Sequence, residues 1–188
     1  MEAFWISLVA IFVAELGDKS QLMAMTFATR FKMWPVLAGI TIATTAVHLV
    51  SVAAGGLVGD FLSPTAIAIV GGIAFLGFAA WTLRGDELTE EESKKAQRTT
   101  RNAIIAVTVA FFLSELGDKT MLATITLATK YDWVGTWIGS TVGMVAADAL
   151  AIVVGRMLGK HLPEKTIRYG AAAAFAVFGI VMLVGALL

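Results

Sequence analysis

The chain has 188 residues, of which 58% are hydrophobic and only 15% are charged, and its mean hydropathy is +0.82. Soluble domains are closer to half apolar and a quarter charged, so this composition excludes an ordinary soluble domain. The formal net charge is zero, which gives no electrostatic basis for binding nucleic acid. The absence of cysteine excludes disulfides, thiolate metal sites and redox pairs. Because a bilayer-spanning helix needs ~20 mostly apolar residues, we expect an all-α membrane protein with about six spans.

The predicted spans fall into two similar halves joined by one long polar segment. Residues 1–84 form the first half, with spans at about 3–29, 35–59 and 65–83. Residues 85–101 carry an acidic run followed by a basic run, and we interpret them as a solvated linker. Residues 102–188 form the second half, with spans at about 103–129, 134–158 and 166–187. The apolar first segment lacks a basic start and a clear cleavage site, so we expect a retained span rather than a signal peptide.

The distribution of basic residues predicts the orientation in the membrane. Eleven Lys and Arg residues fall on the side that holds loops 1–2, 3–4 and 5–6, whereas the opposite side carries only Lys130. The side rich in Lys and Arg faces the cytoplasm, which puts the linker there and both termini outside the cytoplasm. Because each half has three spans, the second half would enter the bilayer from the opposite side. The halves would then be inverted repeats, a common transporter architecture with the binding site at the midplane.

A six-residue motif occurs twice, one hundred positions apart. The first copy is Glu15-Leu16-Gly17-Asp18-Lys19-Ser20 and the second is Glu115-Leu116-Gly117-Asp118-Lys119-Thr120. Each copy lies near the middle of a predicted span, and ionisable groups at that depth are costly and typical of function. The two acids of a copy are spaced i, i+3, which would put them on one helix face. A pseudo-twofold axis in the membrane plane would bring all four carboxylates to one cavity.

The charges of the doubled motif indicate which ions it would bind. Repulsion and desolvation would protonate some of four unshielded carboxylates. Lys19 and Lys119 each follow a glutamate by four positions, a favourable spacing for an ion pair. Two negative charges then remain, and one divalent cation or two protons would neutralise them. We therefore expect a divalent cation and protons to be competing, transported substrates, and we expect no cofactor.

The other candidate ligands are oxygen atoms, which favour a hard cation. They are the Ser20 and Thr120 hydroxyls, the Gln21 amide and backbone carbonyls released at the motif glycines. Calcium, magnesium and manganese suit such ligands, whereas zinc and copper prefer histidine or cysteine. His48 and Asp148 occupy equivalent positions in the second and fifth spans, and both are candidate auxiliary charges or proton relays. For His48 a helix–helix hydrogen bond is an equally good interpretation.

The doubled E-x-G-D-(K/R)-(S/T) motif in two three-span halves resembles the Gdt-type cation exchangers, which include bacterial manganese exporters. The resemblance covers essentially the whole chain, and both motifs are complete. It implies export of a divalent cation from the cytosol in exchange for protons. Mn²⁺ is the first candidate for this cation and Ca²⁺ is the second. It also implies that the essential acids are Glu15, Asp18, Glu115 and Asp118. The size of the chain resembles that of a bacterial member, which implies the plasma (inner) membrane.

Two alternatives from other functional classes remain open. One is a passive cation or proton channel that uses the same acidic ring. The other is a non-transporting membrane scaffold in which the motif clasps helices together. An enzyme is not expected, because the sequence offers no nucleophile–base pair. Small-residue stripes such as Gly135, Gly139 and Gly143 allow close helix packing in lipid, and they leave open a homodimer.

Overall fold

The computed structural model describes residues 1–84, 102–158 and 164–187, and every regular element in these ranges is an α-helix. This confirms the all-α prediction. The predicted linker, residues 85–101, lies outside the described residues. In chain order the helices are α1 Glu2–Glu15, α2 Lys19–Arg30, α3 Met33–Phe61, α4 Pro64–Arg84, α5 Ala103–Glu115, α6 Lys119–Ala128, α7 Trp133–Leu158 and α8 Glu164–Leu187.

Within the described ranges, four helices are long and apolar enough to cross a bilayer. They cover Met33–Phe61, Pro64–Arg84, Trp133–Met157 and Arg168–Leu187. These helices coincide with the second, third, fifth and sixth predicted spans. Their apolar side chains point both inward to the core and outward, where a soluble protein would be polar. The pattern is that of helices surrounded by hydrocarbon.

The prediction of two unbroken spans at 3–29 and 103–129 is wrong, because each is interrupted at the motif. Gly17 and Gly117 have φ values of 76° and 80°, in the left-handed region, which only glycine adopts at little cost. A left-handed glycine just after a helix end is a common helix stop. The next helix begins two residues later, at Lys19 and Lys119 respectively. Each acid pair therefore flanks a break, so its members do not share one helix face.

The interrupted segments pack against the long helix of the opposite half of the chain. α1 and α2 follow α7: the Cα atom of Gly139 faces the backbone of Phe4, and Gly155 faces Met25. α5 and α6 follow α3 in the same way, with Gly39 facing Val107. A Cβ atom added to Gly39 would lie 2.9 Å from the Ile104 carbonyl oxygen, which is closer than real Cβ atoms come. The glycines at these positions therefore allow the helix backbones to touch.

Two buried clusters hold the helices together around the breaks. One joins α2, α3, α5 and α7 through large apolar side chains that include Phe27, Ile40, Phe111 and Ile152. The other joins α1, α4, α6, α7 and α8 and contains Phe75, whose ring centroid lies 5.9 Å from that of Phe175. Such aromatic pairs favour offset or tilted contacts at these distances. The breaks between α1 and α2 and between α5 and α6 are thus enclosed on several sides by packed helices.

Candidate metal centre

Both helix breaks place polar side chains in a part of the molecule that excludes solvent. Glu15 ends α1, and Asp18 directly precedes α2; both side chains are fully buried. Glu115 and Asp118 hold the same positions around the second break and are 1% and 3% exposed. The first backbone N–H groups of α2 and α6, which carry partial positive charge, lie beside these acids. The two breaks thus place four buried acidic side chains in the interior.

A hydroxyl group in the first turn after each break binds the glutamate before it. The Ser20 hydroxyl donates to Glu15 Oε1 and also lies 3.0 Å from Asp18 Oδ2. The Thr120 hydroxyl donates to Glu115 Oε2 over 2.9 Å. These bonds tie the end of one helix to the start of the next and fix the orientation of each carboxylate. Ser20 and Thr120, predicted as ligands, are thus placed next to the acids.

The motif lysines form ion pairs that join the two halves. Lys119 Nζ contacts Asp18 Oδ1, and Lys19 Nζ lies 3.5 Å from Asp118 Oδ1. The spacing of the sequence had suggested instead an ion pair between each lysine and the glutamate of its own motif. The structure shows a reciprocal contact between motifs, in which each lysine reaches the aspartate of the other copy. This contact could have been suspected only from the repeat, since every residue has an equivalent one hundred positions away.

Three of the four motif acids come close enough together to hold one cation. Ligand oxygens of Glu15, Asp18 and Glu115 all lie within 4.8 Å of one another. Glu15 Oε2 and Glu115 Oε1 are buried and have no hydrogen-bond partner in the described part of the chain, and the same is true of Asp118 Oδ2. Leaving buried oxygens unpaired is costly, and a bound cation or proton would remove the cost. We call Glu15, Asp18 and Glu115 the acidic cluster.

Asp148 adds a fifth carboxylate near the acidic cluster. It is fully buried in α7, and neither side-chain oxygen has a hydrogen-bond partner among the described residues. It lies within electrostatic range of Glu15, Asp18 and Glu115. His48, its equivalent in α3, is also buried, and its Nδ1 lies 3.5 Å from the Thr141 hydroxyl. The two equivalent positions therefore have different surroundings, so the centre is not symmetric.

Gln21 connects the first break to the helix that carries Asp148. Its side-chain oxygen accepts a 2.8 Å hydrogen bond from the Gly17 backbone N–H, and its side-chain nitrogen donates to the Ala147 carbonyl over 3.0 Å. One lone pair of the amide oxygen is thus used, so a ligand role would depend on the second. In the other copy Met121 takes this place, and its sulfur lies 3.2 Å from the Gly117 nitrogen. Sequence reasoning did not assign Met121 to this position, although the repeat offset indicates it.

The chemistry of the centre suits a hard divalent cation. The available groups are carboxylates, hydroxyls and an amide, all oxygen donors, as calcium, magnesium and manganese prefer. The same carboxylates can accept protons. An arrangement of this kind can therefore bind either a metal ion or protons in the buried interior of the described helices.

Comparisons with known proteins agree with this chemistry. Residues 3–90 and 103–188 match a family model described as "Divalent cation/proton antiporter GDT1". The chain is 35% identical to a Vibrio cholerae protein named "Putative manganese exporter", over 96% of this chain and 90% of that protein. It is 30% identical to "GDT1-like protein 4" of Oryza sativa, over 88% and 67% of the two chains, and 26% identical to "GDT1-like protein 5" of Arabidopsis thaliana, over 96% and 94%. No solved structure matches the chain significantly.

Proposed function

This chain belongs to the GDT1 family of divalent cation/proton antiporters, and from that premise we propose that it exports Mn²⁺ from the cytosol in exchange for protons. It is a multi-pass membrane protein and a transporter, not an enzyme. The observation that carries the proposal is the acidic cluster, in which three buried carboxylates from two different motifs converge within 4.8 Å. Such a concentration of buried negative charge needs a positive partner.

We propose that the metal is bound by Glu15, Asp18 and Glu115, with Asp118 joining from the second motif. The unpaired oxygens of Glu15 and Glu115 are the first candidates, because binding a metal there breaks no existing hydrogen bond. The Ser20 and Thr120 hydroxyls and the Gln21 amide would orient these acids or complete the coordination shell. Support comes from their hydrogen bonds to the acids or to the helix break beside them.

Exchange follows if protons and metal use the same carboxylates. Glu15, Asp18, Glu115, Asp118 and Asp148 would carry five negative charges, and the two motif lysines would compensate two of them. Without metal, three protons could neutralise the remaining three charges, and a divalent cation that binds to the same carboxylates would replace two of these protons. Asp148 is our candidate for one of the exchanged protons, because it is buried near the acidic cluster and has no hydrogen-bond partner among the described residues. A proton relay through His48 has weaker support, since its described contact is with a hydroxyl.

For the membrane architecture we propose six spans, with α1–α2 and α5–α6 as two interrupted spans. The halves 1–84 and 102–188 would be inverted repeats around the cytoplasmic linker 85–101. Support comes from reciprocal contacts: Lys119 with Asp18 and Lys19 with Asp118 are exchanged by a shift of one hundred positions. The excess of basic residues on one side favours termini outside the cytoplasm and location in the plasma membrane. The stripe of Gly135, Gly139 and Gly143 packs against α1 of the same chain, so it gives no support to the predicted homodimer.

Manganese is proposed ahead of calcium on the strength of the Vibrio cholerae relative, whose name specifies manganese. The oxygen donors of the centre accommodate both ions. The Met121 sulfur near the second break would favour the softer of the two ions if it reached the metal.

Transport by the purified protein in inverted vesicles with an internal pH dye tests the proposal. We expect saturable Mn²⁺ entry accompanied by proton exit, and slower entry of Ca²⁺ and Mg²⁺. Asp18→Asn should abolish both fluxes, whereas Asp60→Asn, at an exposed acid near the end of α3, should not. Metal entry without proton movement would indicate the passive channel. Absence of all flux from well-folded protein would favour the scaffold.

A further inference from the structure

The two motif lysines differ in how deeply they enter the centre. The Lys119 side chain is 3% exposed, and its Nζ contacts Asp18 Oδ1. Its charge also attracts the buried carboxylate of Glu15. The Lys19 side chain is 19% exposed, and its Nζ is 3.5 Å from Asp118 Oδ1. Lys119 therefore lies among the acids of the acidic cluster, whereas its equivalent lies at the edge of the centre.

Both side-chain oxygens of Asp18 are occupied in this structure. Oδ1 contacts the Lys119 ammonium, and Oδ2 lies 3.0 Å from the Ser20 hydroxyl. A hard cation binds carboxylate oxygens directly, at ~2.0–2.6 Å. An ammonium group and a divalent ion on the same oxygen would repel each other strongly at such a distance. Asp18 can therefore bind the metal through Oδ1 only after Lys119 has moved away.

We propose that Lys119 is a built-in competitor of the transported metal: its ammonium takes the cation position beside Asp18 in the empty carrier and moves off this position when the metal binds. The inference rests on the proposed function and adds to it a role for one particular lysine. In the empty carrier the ammonium compensates the acidic cluster, so the carrier can close without cargo. When the metal arrives, it replaces one positive charge by another at the same carboxylate.

A purely structural role for Lys119 makes different predictions. A purely structural ion pair would be needed with and without metal. Its removal would weaken metal binding, because the acids would no longer be held in position. A competitor lowers the apparent affinity, because the metal binds only the fraction of molecules in which the ammonium has left. Removing the competitor should therefore strengthen binding. Lys19 supplies a matched control, since the same substitution removes the same charge at the equivalent position of the other motif.

The test is equilibrium binding of Mn²⁺ to the full chain in lipid nanodiscs, for wild type, Lys119→Gln and Lys19→Gln. We expect Lys119→Gln to bind Mn²⁺ roughly tenfold more tightly, which corresponds to an ammonium that occupies the site in about nine molecules of ten. Lys19→Gln should change the affinity less than threefold, by roughly the effect of a partly exposed charge. Unchanged or weaker binding by Lys119→Gln would overturn the proposal. So would equal strengthening in both variants, because that would reflect the general loss of positive charge.

A second measurement identifies occupation of the position itself. In Lys119→Ala, millimolar methylammonium should fill the vacated space and weaken Mn²⁺ binding competitively, whereas it should have no effect on wild type. Tighter Mn²⁺ binding without competition by methylammonium would overturn the proposal. If Lys119→Ala does not fold, as judged by helical circular dichroism, the Mn²⁺ affinities of Lys119→Gln and Lys19→Gln decide between the two roles. Absence of Mn²⁺ binding by wild-type protein would refute the proposed function instead, so the two failures are distinguishable.

Discussion

Gly117 offers a test of how the helix break positions the centre. It lies two residues after the end of α5 and has a φ of 80°, and a Cβ atom added there would meet nothing within 4 Å. Substitution by alanine therefore introduces backbone strain without a steric clash. Left-handed geometry costs an L-residue about 1–2 kcal/mol, and the lower entropy of the unfolded chain returns about 0.4–1 kcal/mol. We expect a net loss of about 1 kcal/mol in the free energy of unfolding for Gly117→Ala.

The matched control is Gly77→Ala, because Gly77 lies inside α4 and also has open space around it. There alanine should stabilise by about 0.5–1 kcal/mol, since helical glycine is unfavourable. The two variants should thus differ by about 2 kcal/mol when unfolded with SDS in mixed micelles. Gly117→Asn should fall between them, because asparagine tolerates the left-handed region better than alanine.

Function should decline with the strain at Gly117. Relief of the strain straightens the break and draws Thr120 away from Glu115, which loses its 2.9 Å hydrogen bond. Loss of groups that orient metal ligands commonly costs about 10–100-fold in affinity. We expect the apparent affinity for Mn²⁺ in vesicle transport to fall about tenfold in Gly117→Ala and to stay normal in Gly77→Ala. Equal stability of the two alanine variants, together with normal transport by both, would refute this account of the break.

Three further variants separate stability from transport. Asp18→Lys leaves two positive charges facing each other and should lower the free energy of unfolding by about 3–5 kcal/mol. Adding Lys119→Asp should restore most of the stability measured by SDS unfolding, but it should not restore transport. Asp148→Asn should still transport Mn²⁺, with fewer protons released per metal ion in the pH-dye assay; an unchanged ratio would remove Asp148 from the exchange. Gly139→Ala forces its Cβ against the backbone of α1 and should lower the free energy of unfolding by about 1–3 kcal/mol. Gly170→Ala, which has open space around it, should not lower it. Equal SDS unfolding curves for the two variants would contradict the close packing.

Hydropathy was sufficient to predict the long helices, because their apolar runs exceed the thickness of a bilayer. The motif glycines indicated released backbone carbonyls, but each span was still predicted to be continuous, because an acid pair at i, i+3 is also the spacing of a continuous helix face. The sequence alone does not specify the sign of φ at Gly17 and Gly117, because glycine adopts positive and negative φ about equally readily. The glycines inside the motifs were the available signal, since a left-handed residue after a helix end is most often glycine.

The doubled motif correctly indicated that acids from both halves meet, and the structure brings Glu15, Asp18 and Glu115 together. Whether they bind metal stays a prediction. The partner of each lysine was predicted from local spacing, but it is set by how α1–α2 and α5–α6 pack against the opposite halves. The different surroundings of His48 and Asp148 were equally inaccessible, because nearly equivalent helices can be placed differently around one centre.

The packing of each interrupted segment against the opposite half has a consequence for biosynthesis. Gln21 donates its hydrogen bond to a carbonyl 126 positions later in the chain, and the Ala28 carbonyl accepts one from a side chain 128 positions later. At synthesis rates of about 5–20 residues per second, the first motif would remain without these partners for roughly 6–25 s. During that interval its buried acids need another environment, such as water, an insertion factor or protonation. During insertion of the nascent chain the first motif therefore depends on partners that the finished protein no longer needs.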